Sequence, residues 1–433
     1  MINLPVDGHL NPALEIAREL ARRGERVLAY APERMSSRVR EVGAQFRAFP
    51  YEWNTVGSNL VGDSTWQLRT AAACLPQLAA ESADEHVDYV IVDYLCAWGR
   101  LLAQHLSLPS VVVHSTTPLA FSALARIPGR LITLLDLRLS PQRWRRFREF
   151  QHLAAELASR WDVERLEHPI QLVLPRYGEL HLVTTSALLH ADSKGPDPRY
   201  RFIGPCIRPA GVMTGDPLPP LTSDPLVYVS LGTLHNDRPE FYRACIRAYE
   251  RAAFQVLINV GHRVDLRAFE PLPPHIHVVR HVDQIEVLNR AAVFVTHGGM
   301  NGLCEALLAG VPMLVYPQMA DQYVAAKYVA RSGAGLFLGF MRPRPTRLLG
   351  LTQRLIEEPE FRHRCREIGA RLGAERGARA AADLILQFRD DLCVRRTCGH
   401  PVPARAEAER SSRRPIRVLD IRRRHRLSRN PWR

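Results

Sequence analysis

The strongest constraint on the fold of this sequence is an alternation of short β-rich runs with helical patterns along most of its 433 residues. The runs are rich in Val, Ile and Leu and alternate only weakly in polarity, which is typical of parallel strands covered by helices on both faces. The pattern therefore predicts an α/β protein built from two doubly wound domains in tandem. We predict strands at 26–31, 89–93, 110–114, 181–185, 201–203, 226–230, 255–260, 277–279, 293–296, 312–316 and 336–338.

A segment rich in Pro and Gly and without periodicity separates the two halves at 209–225, and we interpret it as a linker. We therefore predict an N-terminal domain at 1–208, a C-terminal domain at 226–392 and a basic tail at 393–433. The tail has neither periodicity nor a steady apolar face, so we predict that it is disordered.

The start of the chain is short for a doubly wound domain. Only four residues precede the turn at Pro5, so we expect a very short first strand, or a start that is truncated or mis-assigned. The first helix is well marked, because Asn11 can cap it, Pro12 suits its first position and Gly24 can end it.

The net charge of +14 belongs mainly to the tail. Residues 393–433 contain 13 Arg against three carboxylates, a net +10, so the other 392 residues carry only +4. A basic tail contacts polyanions without sequence specificity. We therefore expect no specific nucleic-acid partner.

Other bulk features point to the cytoplasm. No apolar stretch approaches the roughly 20 residues that cross a bilayer, and the amino terminus lacks the apolar core of a secretory signal. The eight cysteines are sparse and irregularly spaced, which favours reduced thiols over disulfides. We expect a cytoplasmic protein without a membrane span.

Polar clusters follow several predicted strands, at the edge where open α/β sheets bind their ligands. His9 follows the first strand and Asp93 closes the strand at 89–93. A His oriented by a buried carboxylate gains basicity and can act as a general base, so this pair is a candidate for catalysis. The alternative for His9 alone is a side chain satisfied by the backbone of a strand-to-helix turn.

The segment 297–302, His-Gly-Gly-Met-Asn-Gly, follows a strand and opens a helix. Small residues there direct backbone N–H groups and the positive helix end at one point, which suits a phosphate. His297 can donate one more hydrogen bond. The spacing matches neither a dinucleotide fingerprint nor a P-loop, and a Gly-rich turn needed only for close packing is the alternative.

Three side chains further along suit a sugar. Glu305, about two helical turns after His297, can accept hydrogen bonds from a ribose diol, although a solvated helix carboxylate is the alternative. Asp321 and Gln322 follow the strand at 312–316 and offer polar groups to sugar hydroxyls. Asp321 could equally cap a helix.

Signals for a metal or another cofactor are poor. The sequence contains no D-x-D, and Cys393, Cys398 and His400 lack the spacing of a zinc clip. We expect neither.

The clusters together resemble a known family. The segments that carry the likeness are 8–12 (Gly-His-Leu-Asn-Pro), 227–233 (Val-Tyr-Val-Ser-Leu-Gly-Thr), 282–284 (Val-Asp-Gln), 294–302 (Phe-Val-Thr-His-Gly-Gly-Met-Asn-Gly), 305–306 (Glu-Ala) and 317–322 (Pro-Gln-Met-Ala-Asp-Gln). They resemble the landmarks of the family 1 glycosyltransferases, in particular of the bacterial macrolide glycosyltransferase branch. The resemblance covers about 1–392, and its order along the chain agrees with the two-domain prediction.

The resemblance implies a GT-B fold, in which two Rossmann-like domains face each other across a cleft. The acceptor would lie mainly on the first domain and the nucleotide sugar mainly on the second. His9 would be the general base and Asp93 would orient it. The diphosphate would meet Ser230, Thr233, His297, Gly298, Gly299, Asn301 and Gly302; the ribose would meet Glu305; the hexose would meet Asp321 and Gln322; and the base would lie against His281, Val282 and Gln284.

One departure from the family lies in the base-binding segment. The family often has Trp-Val-Pro-Gln where this chain has His-Val-Asp-Gln at 281–284. An imidazole offers a smaller stacking face than an indole. We also expect Asp283 to add a negative charge near an anionic nucleotide.

The function that the resemblance implies is that of an inverting, metal-independent glycosyltransferase. It would move a hexose from a UDP-sugar, or a dTDP-sugar, to a hydroxyl of an apolar natural product such as a macrolide, polyketide or flavonoid-like aglycone. The alternative is a non-catalytic GT-B protein that partners another glycosyltransferase. Five apolar residues are candidates for an acceptor pocket, although core packing explains them equally well: Trp53, Trp66, Leu68, Phe121 and Leu124.

Overall fold

The computed structural model has the α/β fold that the sequence predicts, with two parallel sheets. It describes residues 1–49, 60–116, 118, 141–173, 177–190, 198–211, 215–318, 320–339 and 343–397. We call the part around the first sheet the first lobe and the part around the second sheet the second lobe.

The first lobe contains six described strands, all paired in parallel. They are β1 (Leu28–Ala31), β2 (Gln45–Ala48), β3 (Val90–Asp93), β4 (Ser110–His114), β5 (Leu180–Val183) and β6 (Tyr200–Phe202). β3 to β6 form one sheet in chain order, and β1 pairs with β2. The sequence prediction missed β2, because its residues are exposed or half-buried and lack the apolar composition of the other strands.

The predicted short first strand is a single bridging residue. Ile2 pairs in parallel with Tyr30 of β1 on one side and with Val92 of β3 on the other. Its N–H donates to the Ile91 carbonyl at 2.8 Å, and its carbonyl accepts from the Asp93 N–H at 3.0 Å. Ile2 is buried, so this one residue joins the two groups of strands and ties the start of the chain to the sheet.

The second lobe contains a six-stranded parallel sheet among its described residues. Its strands are β7 (Leu226–Ser230), β8 (Gln255–Asn259), β9 (Ile276–Val279), β10 (Ala291–Thr296), β11 (Met313–Val315) and β12 (Gly335–Phe337). The order is β12-β11-β10-β7-β8-β9, so the order reverses between β7 and β10. Such a switch point leaves a crevice at the carboxyl ends of the two strands, which is where the polar segments after 230 and 296 begin.

The helices lie between the strands in the predicted alternation. In the first lobe they are α1 (Asp7–Arg22), α2 (Ser36–Glu41), α3 (Leu60–Asp84), α4 (Ala97–His105), α5 (Pro141–Trp161) and α6 (Ile170–Val173). The later ones are α7 (Pro239–Tyr249), α8 (Gln284–Leu288), α9 (Met300–Leu308), α10 (Ala320–Ser332), α11 (Pro345–Glu357), α12 (Pro359–Gly373) and α13 (Ala378–Thr397). None of the described helices is both long and apolar enough to cross a membrane.

The start of α1 corrects a prediction. Asn11 and Pro12 were expected to cap and begin the helix, but it begins at Asp7 and contains both residues. Val6 has extended backbone angles, and its carbonyl already accepts from the N–H groups of the first turn. A proline inside a helix removes one hydrogen bond, and the packing of the buried face of α1 outweighs that cost.

The last helix returns to the first lobe. Ala381, Ala382 and Ile385 of α13 share a hydrophobic cluster with α1 residues, and Arg23 pairs with Asp383 at 2.6 Å. Residues 1–389 form one compact unit. The boundaries predicted at 208, 226 and 392 remain predictions. α13 extends to Thr397, five residues into the predicted tail.

The cysteines described in the structure are free thiols. Six are buried and Cys393 is exposed, whereas Cys398 lies outside the described residues. The cytoplasmic location remains a prediction.

A close approach between two helices of the second lobe can be tested by substitution. A Cβ on Gly369 of α12 would lie 2.0 Å from the Leu307 carbonyl oxygen of α9, whereas a Cβ on Gly373 would meet only the Leu308 side chain, at 3.6 Å. We expect Gly369→Ala to lower the free energy of unfolding by about 1–3 kcal/mol through overpacking. Urea unfolding measures the effect, with Gly373→Ala as the matched control; equal effects of the two variants would refute the close contact.

Candidate active site

The first cluster of functional side chains lies where α1 begins and β3 ends. His9 is in the first turn of α1, and Asp93 is the last residue of β3. His9 Nδ1 lies 2.7 Å from Asp93 Oδ2. Asp93 is 1% exposed, and its Oδ1 accepts from the Leu95 N–H at 2.9 Å. The carboxylate is therefore fixed by its own backbone and holds the imidazole in one orientation.

Two further residues contact the His9 ring. Ser115 Oγ lies 3.1 Å from Nδ1. The Tyr94 ring stacks on the imidazole at 5.8 Å between centroids, and Tyr94 stacks in turn on His114 at 5.0 Å. The plane of the imidazole is thus held by aromatic packing as well as by the carboxylate. The sequence reasoning missed Tyr94 and Ser115, although each lies one residue beyond a predicted strand.

The second cluster surrounds the start of α9. The helix begins at Met300, because Gly298 has a left-handed backbone (φ +85°) and Gly299 is the N-cap. No side chain caps the helix. The first N–H groups of an α-helix have no partner within the helix, so they can bind an anion here.

His297 lies beside this helix start in a space that glycine creates. A Cβ on Gly232 would come within 2.6 Å of the His297 ring, and a Cβ on Gly299 within 2.5 Å. Burial, with a smaller effect of His235, lowers the pKa of His297 to about 4, so the ring is neutral near pH 7. Its Nδ1 is buried and has no hydrogen-bond partner in the described part of the chain. The ring can therefore donate or accept one bond to a ligand.

The loop after β7 lies on the other side of the His297 ring from the start of α9. Ser230 is buried, and its Oγ accepts from the Gly232 N–H at 3.3 Å, while Thr233 is exposed at the same turn. Gly232 has φ +76°, a left-handed conformation that favours glycine, and it lies against the His297 ring. Ser230, Thr233 and His297 thus lie around one strand-end crevice. Gly302, in the first turn of α9, approaches the Gln284 side chain.

A chain of hydrogen bonds runs from α8 to α9. Gln284 Nε2 donates to Glu305 Oε2, Tyr228 Oη donates to Gln284 Oε1 at 3.4 Å, and Asn259 Nδ2 donates to Tyr228 Oη at 3.3 Å. Burial raises the pKa of Glu305 to about 7, with the Gln284 hydrogen bond acting in the opposite direction. Glu305 is therefore a half-buried, oriented carboxylate rather than the solvated one of the alternative interpretation.

The prediction that Asp283 adds a negative charge to the base-binding segment is wrong. Asp283 caps α8, accepting from the Ile285 and Glu286 N–H groups, and Arg208 binds it with two hydrogen bonds of 2.7 and 3.0 Å. Burial opposes ionisation, but the hydrogen bonds and charge of Arg208, together with the N–H groups of Glu286 and Gly211, outweigh it and lower the pKa of Asp283. The carboxylate is compensated by a cation 75 residues away, so it adds no net charge to the base-binding segment.

The other two residues at the start of the base-binding segment, His281 and Val282, differ in their exposure to solvent. Val282 is buried, whereas His281 is half-buried and stacks on His262 at 6.1 Å between centroids. Burial is the main cause that lowers the pKa of His281. Sequence reasoning did not single out His262, which carries no motif. The His281 ring therefore has an aromatic partner within its own lobe.

The two proposed hexose ligands are described unequally. Gln322 is buried, and its Oε1 accepts from the Gln318 N–H at 2.7 Å. Asp321 lies in the first turn of α10, but its side chain lies outside the described residues.

The candidate acceptor residues lie in part in the core. Leu68 is fully buried, and Trp66 packs edge-on against Trp98 at 5.8 Å between centroids. Core packing explains both. Trp53, Phe121 and Leu124 lie outside the described residues. Across the described ranges, no group of three or more His, Cys, Asp or Glu side chains could hold a metal ion.

One hydrogen bond joins the two clusters. Asn301 Nδ2, at the start of α9, donates to the Gly8 carbonyl of α1 at 2.8 Å. The residue before His9 therefore touches the helix start that is open to an anion. The first and second lobes meet at this point.

Comparison with known proteins gives the family. A family model of the C-terminal domain of erythromycin biosynthesis protein CIII-like proteins matches residues 252–382. The oleandomycin glycosyltransferase of Streptomyces antibioticus is 29% identical over 400 residues, covering 89% of each chain. The uncharacterised UDP-glucosyltransferase YojK of Bacillus subtilis is 27% identical over 396 residues, covering 89% of this chain and 96% of that protein.

A solved structure covers both lobes. The crystal structure of the glycosyltransferase of kitacinnamycin is 30% identical, with a TM-score of 0.76, over 89% of this chain and 97% of that one. The fold, the order of the motifs and these similarities agree with one another. The chain belongs to the family 1 glycosyltransferases of the macrolide type and has their GT-B fold.

Proposed function

We propose that this glycosyltransferase is an inverting, metal-independent enzyme that transfers a hexose from a UDP-sugar, or a dTDP-sugar, to a hydroxyl group of an apolar natural product. The observation that carries the proposal is the 2.7 Å contact between His9 Nδ1 and Asp93, one residue from the carbonyl that binds Asn301 at the start of α9. A candidate base and a candidate anion site thus lie on the two sides of one cleft.

His9 is the proposed general base. Asp93 favours the tautomer with the proton on Nδ1, so Nε2 takes the proton of the acceptor hydroxyl. The acceptor oxygen forms a bond to the anomeric carbon as the bond from that carbon to the diphosphate oxygen breaks. The electron pair of the broken bond leaves with the diphosphate. A single displacement of this kind inverts the anomeric centre.

The start of α9 stabilises the leaving group in this proposal. Negative charge grows on the diphosphate in the transition state, and groups already aimed at it speed the step without reorganising. The open N–H groups of α9 and the helix dipole supply positive potential. The neutral His297 adds a hydrogen bond rather than a charge. No step of this mechanism requires a metal.

The remaining donor contacts follow the hydrogen-bond chain described above. Glu305 accepts from the ribose hydroxyls, while Gln284 and the segment around His281 lie against the base. Gln322 and Asp321 remain proposed hexose ligands. YojK is named for a UDP-sugar, which supports UDP as the first donor to test, with dTDP-glucose beside it. The acceptor class rests on the macrolide-type relatives.

A weak first strand and an altered base-binding segment would favour the alternative, a non-catalytic partner protein. Ile2 is bonded to β1 and β3, which anchors the turn that leads to His9. Asp283 is neutralised by Arg208. Both features therefore have structural compensation, and the catalytic proposal is the better supported of the two.

Replacing the proposed base tests the mechanism. We expect His9→Ala to lower kcat about 10²–10⁴-fold, because the proton of the acceptor loses its carrier. Asp93→Asn, which removes the charge beside Nδ1, is expected to lower kcat in the same direction. The measurement is product formation, by mass spectrometry, from UDP-glucose and from dTDP-glucose with hydroxylated aromatics and macrolides.

Two controls complete that experiment. His152→Ala replaces an exposed histidine of α5 and is expected to leave turnover unchanged. Calorimetry with UDP-glucose is expected to give His9→Ala the affinity of the unmodified protein, since His9 lies on the acceptor side. Undiminished turnover of His9→Ala would exclude the base role.

The titration of Glu305 predicts a pH dependence of donor binding. The carboxylate accepts two hydroxyl donors only when ionised, and its pKa is about 7. We therefore expect the affinity for UDP-glucose to be highest above that pH and to fall several-fold from about pH 8 to about pH 6, as Glu305 takes up a proton. UDP-glucose is a suitable probe because its diphosphate diester does not titrate in this range.

The control for this prediction is Glu305→Gln, measured by the same calorimetry. The variant is expected to bind more weakly and with little dependence on pH. A variant that keeps the pH dependence of the unmodified protein would show that another group is responsible.

A further inference from the structure

Pro12 leaves one backbone carbonyl of α1 without its helical partner. In an α-helix each N–H donates to the carbonyl four residues earlier, so residue 12 would donate to Gly8. Proline has no N–H, and Pro12 lies inside α1, not at its first position. The Gly8 carbonyl is thus available to another donor although it belongs to the first turn.

The hydrogen-bond donor to the Gly8 carbonyl comes from the second lobe. Asn301 Nδ2 donates to Gly8 O at 2.8 Å across 293 residues of sequence. Asn301 is the second residue of α9, so its backbone N–H is one of the open groups at that helix start. The Asn301 side chain therefore binds the first lobe, while its backbone N–H is available to a ligand at the start of α9.

The Gly8 carbonyl is part of the peptide unit that carries the His9 nitrogen. Because a peptide unit is planar, fixing Gly8 O fixes the plane from which the His9 side chain leaves the backbone. Within α1, the His9 N–H donates to Val6 O at 3.0 Å. The bond from Asn301 is thus an external constraint at the base residue itself.

We propose that Pro12 and Asn301 form a latch that positions His9 against the donor: Pro12 keeps the Gly8 carbonyl out of the helical ladder, and Asn301 binds it from the helix start that receives the diphosphate. Neither is a catalytic residue in this respect; both are positioning residues. The latch rests on the proposed function, since it assigns the placement of the base relative to the leaving group. It makes the geometry of the base depend on the contact with the second lobe.

The surroundings of the first turn agree with this role. Arg38 Nη1 donates to Asp7 Oδ1 at 2.6 Å and Arg38 also donates to Asn11, which holds the turn from the side of the first lobe. The charge of Asp7 raises the pKa of His281 in the second lobe and that of Arg38 lowers it, so both charges lie near that ring. The first turn of α1 is therefore held from within its own lobe by Arg38 and faces the second lobe at Asn301 and His281.

Pro12→Ala is the variant that tests the latch without touching the donor site. The substituted alanine brings an N–H that competes with Asn301 for Gly8 O. With UDP-glucose and a hydroxylated coumarin, we expect kcat to fall about three- to tenfold, the worth of one hydrogen bond. The KM and the calorimetric affinity for UDP-glucose are expected to stay within about twofold. The melting temperature is expected to stay level or rise, because the helix gains a bond, so misfolding would not explain the lower kcat.

A double-mutant cycle with Asn301→Ala gives the decisive comparison. If Pro12 acts through Asn301, Pro12→Ala lowers kcat in the unmodified protein and has no further effect in Asn301→Ala. Factors that multiply would overturn the latch. Pro76→Ala, a replacement of the proline inside α3, is the matched control and is expected to leave kcat unchanged.

Hydrogen exchange supplies a readout that needs no turnover. The latch predicts faster exchange in the peptide covering residues 7–14 for Asn301→Ala. It predicts restored protection in the double variant, where the N–H introduced by Pro12→Ala binds Gly8 O within the helix. The link from Gly8 to the second lobe stays broken in that variant, so kcat is not expected to recover. Unchanged exchange in Asn301→Ala would contradict the latch. Failure of the proposed function is recognised separately, by turnover that survives His9→Ala, and does not alter the exchange result.

Discussion

The hydrogen bond between His9 and Asp93 is the contact on which the other features of the site depend. It exists because Ile2 inserts between β1 and β3, so that the chain leaves the sheet beside the end of β3 and enters α1 there. Asp93 is buried and bound by its own backbone, which leaves it one orientation. A buried carboxylate that holds an imidazole in one orientation is the arrangement that an oriented general base requires, and the proposed function is built on it.

The second lobe completes the site through glycine and an uncapped helix. Gly232 and Gly299 give His297 a space that no side chain at those positions would allow. The start of α9 has no side-chain cap, so its N–H groups are left for a ligand. The contact from Asn301 to Gly8 then brings this helix start to α1, and in the proposed mechanism the geometry of transfer depends on both lobes.

Much of the fold was predictable because the strands are apolar on both faces and the motifs lie at their carboxyl ends. The exposed strand β2 lacked that signal, and the packing of α1 outweighed the usual preference of Pro12 for the first position of a helix. The sequence could predict that His9 and Asp93 share an edge of a sheet, but not the distance between them. It also could not predict that Arg208, in another segment, compensates Asp283.

The central claim is that the acceptor oxygen, deprotonated by His9, attacks the anomeric carbon from the face opposite the diphosphate. The configuration of the product measures this most directly. Proton NMR of the glycoside formed from UDP-α-glucose is predicted to show the large anomeric coupling of a β-linkage. The small coupling of an α-linkage would mean retention, and the proposed single displacement would then be wrong.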